Sequence, residues 1–234
     1  RTMITDSWTT SPQDKEPFIL GVDIGIEKHY VLGSKTGIFE VGVVKSRQQL
    51  ERIIEQYNPT VVMDAGPERT WAEEFKQKYP KCYLCFYRKD LPKAELVKWG
   101  AERGGKEDLK NWGYIWADRN RVIDKVIDEF LRGNILVYLS REKLERYILH
   151  WETLRRVQEE TAIKTLRYIW DSTTGEDHWV HATVYYWIGR LRVEPTAFLS
   201  EKDKPKDLIR RTDEGFEFID LKEILEEQHP DENA

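Results

Sequence analysis

The sequence predicts an α/β fold built on a five-stranded mixed sheet. The strand order is 3-2-1-4-5, helices flank the sheet, and further hairpin and helical elements extend it. Three observations predict this. Strand-like runs at 18–23, 29–34 and 38–45 follow one another with only short polar turns between them. A helix-like stretch then leads to an apolar run at 61–63, and a second leads to CYLCFY at 82–87. Two of the runs close on an acid: FILGVDIG carries Asp23, and TVVMDAGPE carries Asp64.

Each element has a local reason. Turns as short as 25–28 and 35–37 make the first three strands an antiparallel meander. Ser46 starts the first helix, Leu50, Ile53, Ile54 and Tyr57 fall at helical spacing, and Pro59 ends it. Residues 61–63 form a short buried strand. Pro67 opens the second helix, with Trp71, Phe75 and Tyr79 following. A right-handed crossover over the meander returns strand four to lie parallel to strand one. The carboxyl ends of strands one and four are then neighbours, where open α/β sheets bind ligands. Further along, GYIWADR (113–119) reads as a strand feeding a helix at 120–132. A strand at 135–139, a helix at 143–158, a strand at 163–170 and a helix at 177–191 follow. The tail holds a strand in GFEFI and a short helix in LKEILEE.

With 234 residues, 40% hydrophobic and 34% charged, the chain suits one large domain with extensions. Residues 1–16 read as a linker remnant, 17–200 as the domain and 201–234 as an acidic tail. There is no signal peptide, and the first residue is Arg, as in an excised fragment. No apolar run approaches the ~20 residues that span a bilayer. Two cysteines exclude a disulfide scaffold. Cys82 and Cys85 point to opposite faces of a strand and read as buried free thiols rather than as a zinc site. A net charge of −5 weighs against tight nucleic-acid binding, yet basic clusters gather in the middle of the chain, including Arg88-Lys89, Arg119 and Arg121. Neither a phosphate-binding GxxxxGK loop nor a GxSxG nucleophile motif is present.

Taken singly, Asp23 or Asp64 could be a turn former or a helix N-cap. Side by side at strand ends, the two are the start of a site for a hard divalent cation. The helix opening DHWVHATVYYWIGRL supplies a third ligand. At about 100° per residue from Asp177, the apolar stripe contains Asp177, His181 lies about 40° away, and His178 lies about 100° away, beyond the stripe. Facing geometry therefore favours Asp177 over His178.

The segments GVDIG (21–25), VVMDAGPE (61–68), ADR (117–119) and DHWVHATVYY (177–186) together resemble the nuclease domain of a tailed-phage large terminase, of the RNase H-like superfamily. The resemblance runs through most of residues 18–192. It implies acidic ligands at Asp23, Asp64 and the start of the last helix, where relatives carry Asp or His, so Asp177 and His178 both stay open by analogy. It implies two Mg²⁺ or Mn²⁺ ions and endonucleolytic cutting of concatemeric viral DNA, with Glu68 and His181 supporting the ligands from behind. Lys28, Arg88, Lys89 and Arg119 are candidate contacts to double-stranded DNA. A packaging ATPase domain, portal or capsid protein and a small terminase subunit are the implied partners, in a host cytoplasm and away from membranes. A junction resolvase or transposase-type nuclease on the same fold is the alternative enzyme. A non-catalytic RNase H-like interaction module is the alternative outside enzymology.

Overall fold

The computed structural model describes residues 17–66, 68–89, 91–92, 94–100, 112–160, 164 and 166–193, and the backbone of 209–212 and 215–218. The linker expected at 1–16, Pro67 and the helix expected in LKEILEE lie outside the described residues. The meander forms as expected: β1 (Ile19–Ile24), β2 (Lys28–Gly33) and β3 (Gly37–Val44) pair antiparallel in sequence. Helix α1 (Arg47–Tyr57) follows. Ser46 caps it by accepting from the Gln49 N–H, and Asn58, left-handed at φ 44°, closes it onto Ile54 O ahead of Pro59. Strand β4 (Thr60–Asp64) returns parallel to β1, and β5 (Cys82–Tyr87), reached through α2 (Arg69–Lys78), is parallel to β4.

The sheet is wider than five strands. Its order is β6-β7-β5-β4-β1-β2-β3-β8. β7 (Tyr114–Ala117) adds to β5, β6 (Val97–Trp99) adds to β7, and the two-residue β8 (Leu136–Val137) adds to β3. Each added strand supplies partners for backbone groups that a bare β3 or β5 edge would leave open. Strand β6 was too short for the pattern to announce.

Residues 143–158 are not one helix. α4 ends at Glu152 (Arg141–Glu152), and β9 (Leu154–Glu160) pairs antiparallel with β10 (Leu166–Ser172) as a separate ribbon. Thr153 makes the break: its hydroxyl donates to His150 O at 2.9 Å, and its backbone accepts from Thr173. The charged run LRRVQEE has no apolar period of its own, so the ladder with β10 decides its conformation. In the tail, β11 (Ile209–Thr212) and β12 (Gly215–Phe218), within GFEFI, form a hairpin.

Helices α3 (Arg119–Leu131), α4 and α5 (His178–Arg190) cover one face of the sheet, and α1 and α2 the other. Strand alternation assigns residues to each side. Ile19, Val62 and Cys85 join the α3–α5 core, while Leu20, Val22, Val61, Met63, Cys82 and Leu84 join the α1–α2 core. Cys82 and Cys85 are thus buried free thiols on opposite faces. Among the described residues, no helix is long and apolar enough to cross a membrane.

Helix α5 lies against the backbone of β1. A Cβ added to Gly21 would sit 2.0 Å from Ala182 O and 2.3 Å from Tyr186 N. Only glycine permits that approach, which carries the first turn of α5 to the carboxyl ends of β1 and β4.

Candidate metal centre

Asp23 and Asp64 continue the odd-even register of their strands. Asp23 follows Ile19 and Gly21, and Asp64 follows Val62, so both project toward α5. The β1–β4 ladder pairs Val22 with Met63, which sets the two aspartates next to each other across the strand ends. The turn after β4 wraps tightly on its acid: a Cβ on Gly66 would fall 2.4 Å from Asp64 Oδ2. Asp23 is only 8% exposed. Among the described residues no lysine or arginine forms an ion pair with either acid. Burial, and then the negative charge of Asp23, push Asp64 up to about 6. The Gly66 N–H, His181 and the Tyr185 hydroxyl offset only part of that rise.

The first turn of α5 differs from the expected facing. Its helix begins at His178, and Asp177 is a non-helical N-terminal residue at φ −111°, ψ 19°. His178 is the residue that meets the sheet: its Nδ1 lies 2.8 Å from Asp23 Oδ2. An ionised carboxylate only accepts, so Nδ1–H donates. That hydrogen bond raises the His178 pKa against the effect of burial. Two features limit what a count of angles from Asp177 can place. The count began one residue before the helix does. Residues 179–180 and 182–189 are also buried all round, so no single stripe marks the sheet-facing side.

Asp177 is not a side-chain cap. Its Oδ2 accepts from His181 Nε2 at 3.2 Å and from Arg119 Nη2 at 3.4 Å. Burial alone would raise its pKa, but these two partners carry it below its ordinary value. Arg119 also donates to Trp170 O in β10. Arg119, a candidate DNA contact from the sequence, thus ties the Asp177 carboxylate to the ribbon. Lys28 likewise pairs with Glu68 at 2.9 Å, and no hydrogen bond between Glu68 and either strand-end acid is present among the described residues. Arg88 and Lys89 are exposed at the end of β5, at the same carboxyl edge.

Four site residues escaped the sequence reading. His29 faces Asp23 across the β1–β2 ladder, is 6% exposed, and stacks on His178 at 4.6 Å and 16°. Its Nδ1 has no hydrogen-bond partner among the described residues. His150 of α4 stands 5.4 Å from His29 and accepts from the Trp179 N–H. Burial, then His29 and His178, lower His150 to about 4. Tyr87 ends β5 with the same parity as Cys85 and reaches His181. Tyr185 stacks on Tyr87 at 5.6 Å. Strand parity alone could have found His29 and Tyr87. His150 is brought in by the packing of α4, which leaves no local signal.

Four of the chain's five histidines therefore gather around the two strand-end acids. The pair fits a hard dication: two crowded carboxylates without a lysine or arginine partner would lose their mutual repulsion to it. As arranged, no three His, Cys, Asp or Glu side chains among the described residues converge as a ready ligand group. His178 and His181 occupy the Asp23 and Asp177 oxygens that a cation would take.

No protein-family model and no curated protein matches the chain. Its structure is similar to that of the large terminase nuclease from thermophilic phage G20c, at 13% sequence identity and a TM-score of 0.48, over 75% of this chain and 83% of that chain.

Proposed function

We propose that the chain is a divalent-metal-dependent endonuclease acting on double-stranded DNA. The observation that carries this reading is the Asp23–Asp64 pair. Two acids on adjacent parallel strands share one face, and one is held up to about 6. Function resides in such a site rather than in the fold around it.

Asp23 and Asp64 would hold Mg²⁺ or Mn²⁺, with Asp177 and His178 beside them. Such ions supply an activated water and neutralise charge at the reacting phosphate. The protein's part is positional. Asp64 gives up its proton as a cation replaces it, so loading favours neutral or higher pH. His178 yields Asp23 Oδ2, and His181 with Arg119 holds Asp177 in place. Arg88 and Lys89, exposed at the same edge, would meet phosphates, a contact without sequence preference. The motifs GVDIG, VVMDAGPE and DHWVHATVYY support the narrower role of cutting concatemeric viral DNA during genome packaging. A packaging ATPase domain, small terminase subunit and portal or capsid protein would then be partners.

The test is conversion of supercoiled plasmid with Mg²⁺, Mn²⁺ or chelator, by the wild type and by Asp64→Asn, with the circular dichroism melt of each. The wild type should cut only with metal, and a natively melting Asp64→Asn should lose that cutting, because an amide is a poor ligand for a hard cation. Wild-type rates in that variant would sink the assignment.

A further inference from the structure

Asp177 is held from two sides, and one side leads to a residue that no strand-end motif marks. Tyr87 closes β5, on the sheet face that α5 covers. Its hydroxyl lies 2.9 Å from His181 Nδ1, and His181 Nε2 lies 3.2 Å from Asp177 Oδ2. The other side is the Arg119 guanidinium. The chemistry fixes the direction of the first path. Asp177, as a carboxylate, can only accept, so His181 Nε2 carries a hydrogen. In the neutral ring Nδ1 is then an acceptor, and the Tyr87 O–H donates to it. One imidazole is thereby locked in a single tautomer and a single orientation, with each ring nitrogen spoken for. The Tyr87 ring is fixed in turn by its stacking on Tyr185, itself 1% exposed.

We propose that Tyr87 is a positioning residue: its hydroxyl orients His181, and through His181 it sets the Asp177 carboxylate at the candidate metal centre. This deepens the nuclease reading and rests on it. A phenylalanine would fill the same space and keep the stacking while removing the hydroxyl, which also meets the Tyr185 hydroxyl. Second-layer groups of this kind tune how well a carboxylate is presented to a cation, and losing one costs about 10–100-fold in affinity or activity.

The test uses the full chain as the wild type, Tyr87→Phe and Asp177→Asn. Three measurements are made: the melt, Mn²⁺ binding by calorimetry, and the ring ¹⁵N shifts of His181 without metal. Tyr87→Phe should melt within a few degrees of the wild type and bind Mn²⁺ about 10-fold more weakly. The metal-free wild type should show the Nε2–H tautomer, and Tyr87→Phe should shift Nδ1 while leaving that tautomer in place. An Nδ1–H tautomer in the wild type, or Mn²⁺ affinity in Tyr87→Phe within twofold of the wild type, would overturn the proposal. If Tyr87→Phe melts far lower, His181→Phe breaks the same path at its middle, and unchanged Mn²⁺ affinity there overturns the proposal equally. Failure of the nuclease reading looks different: neither the wild type nor Asp177→Asn would bind Mn²⁺, while the His181 shifts would still report on Tyr87.

Discussion

Two places in this molecule bury charge, and they treat it in opposite ways. Lys76 on α2 is 6% exposed, yet it is fully answered. It pairs with Glu73 at 3.0 Å, donates to Trp112 O at 3.3 Å, and sits 3.6 Å from the Tyr114 ring centroid. Glu73 in turn accepts from the Tyr114 hydroxyl at 2.6 Å. At the carboxyl end of β1 and β4 the same protein sets two acids side by side with no lysine or arginine on either among the described residues, and leaves the buried His29 Nδ1 without a partner. A buried polar group left in this state costs about 1–3 kcal/mol. His178 and the Gly66 N–H answer the two acids only in part, and it is on this contrast that the proposed metal site rests.

The contrast can be broken first at Lys76. Lys76→Ala leaves Glu73, itself partly open to solvent, without its cation and should cost about 1–3 kcal/mol, read as a lower urea midpoint, without changing Mn²⁺ affinity. A loss of metal binding in a natively folded variant would show that the two networks are coupled. At the small end stands Glu68→Gln. The Lys28–Glu68 pair is half open to solvent, with Glu68 42% exposed, so its loss should change stability by less than about 1 kcal/mol. Plasmid cleavage should stay near wild type, because Glu68 bonds Lys28 rather than the strand-end acids. A large loss of cleavage would return Glu68 to the site.

The same contrast explains what the sequence made legible. Asp23 and Asp64 were readable because strand parity and a right-handed crossover are global rules with few exceptions. Gly21, inside GVDIG, was visible too, although its role in admitting α5 to the backbone of β1 appears only with the helix in place. The orientation of Asp177 and His178 was not readable. It depends on a helix start shifted by one residue and on a helix buried on every side. Arg119 looked like a surface cation, because nothing local announces that Trp170, some fifty residues on, will lend it a carbonyl. The β9–β10 ribbon was hidden for a related reason: its charged strands are set by each other, and neither carries an apolar period.

The measurement that bears most directly on the uncompensated pair is the pH dependence of stability in the metal-free protein and its Asp64→Asn variant, repeated with Mg²⁺. The Asp64 carboxyl rises from 3.8 to about 6 on folding. Between those values the folded state holds a proton that the unfolded state has released, so the wild type loses stability as pH rises through that window and carries the full penalty above it. Asp64→Asn removes the penalty. Without metal it should be more stable than the wild type above pH 6, by on the order of 2 kcal/mol, with the gap closing as pH falls toward 4. Mg²⁺ should raise the melt of the wild type and leave the variant nearly unmoved. A variant less stable than the wild type at every pH, with both proteins indifferent to Mg²⁺, would contradict the account.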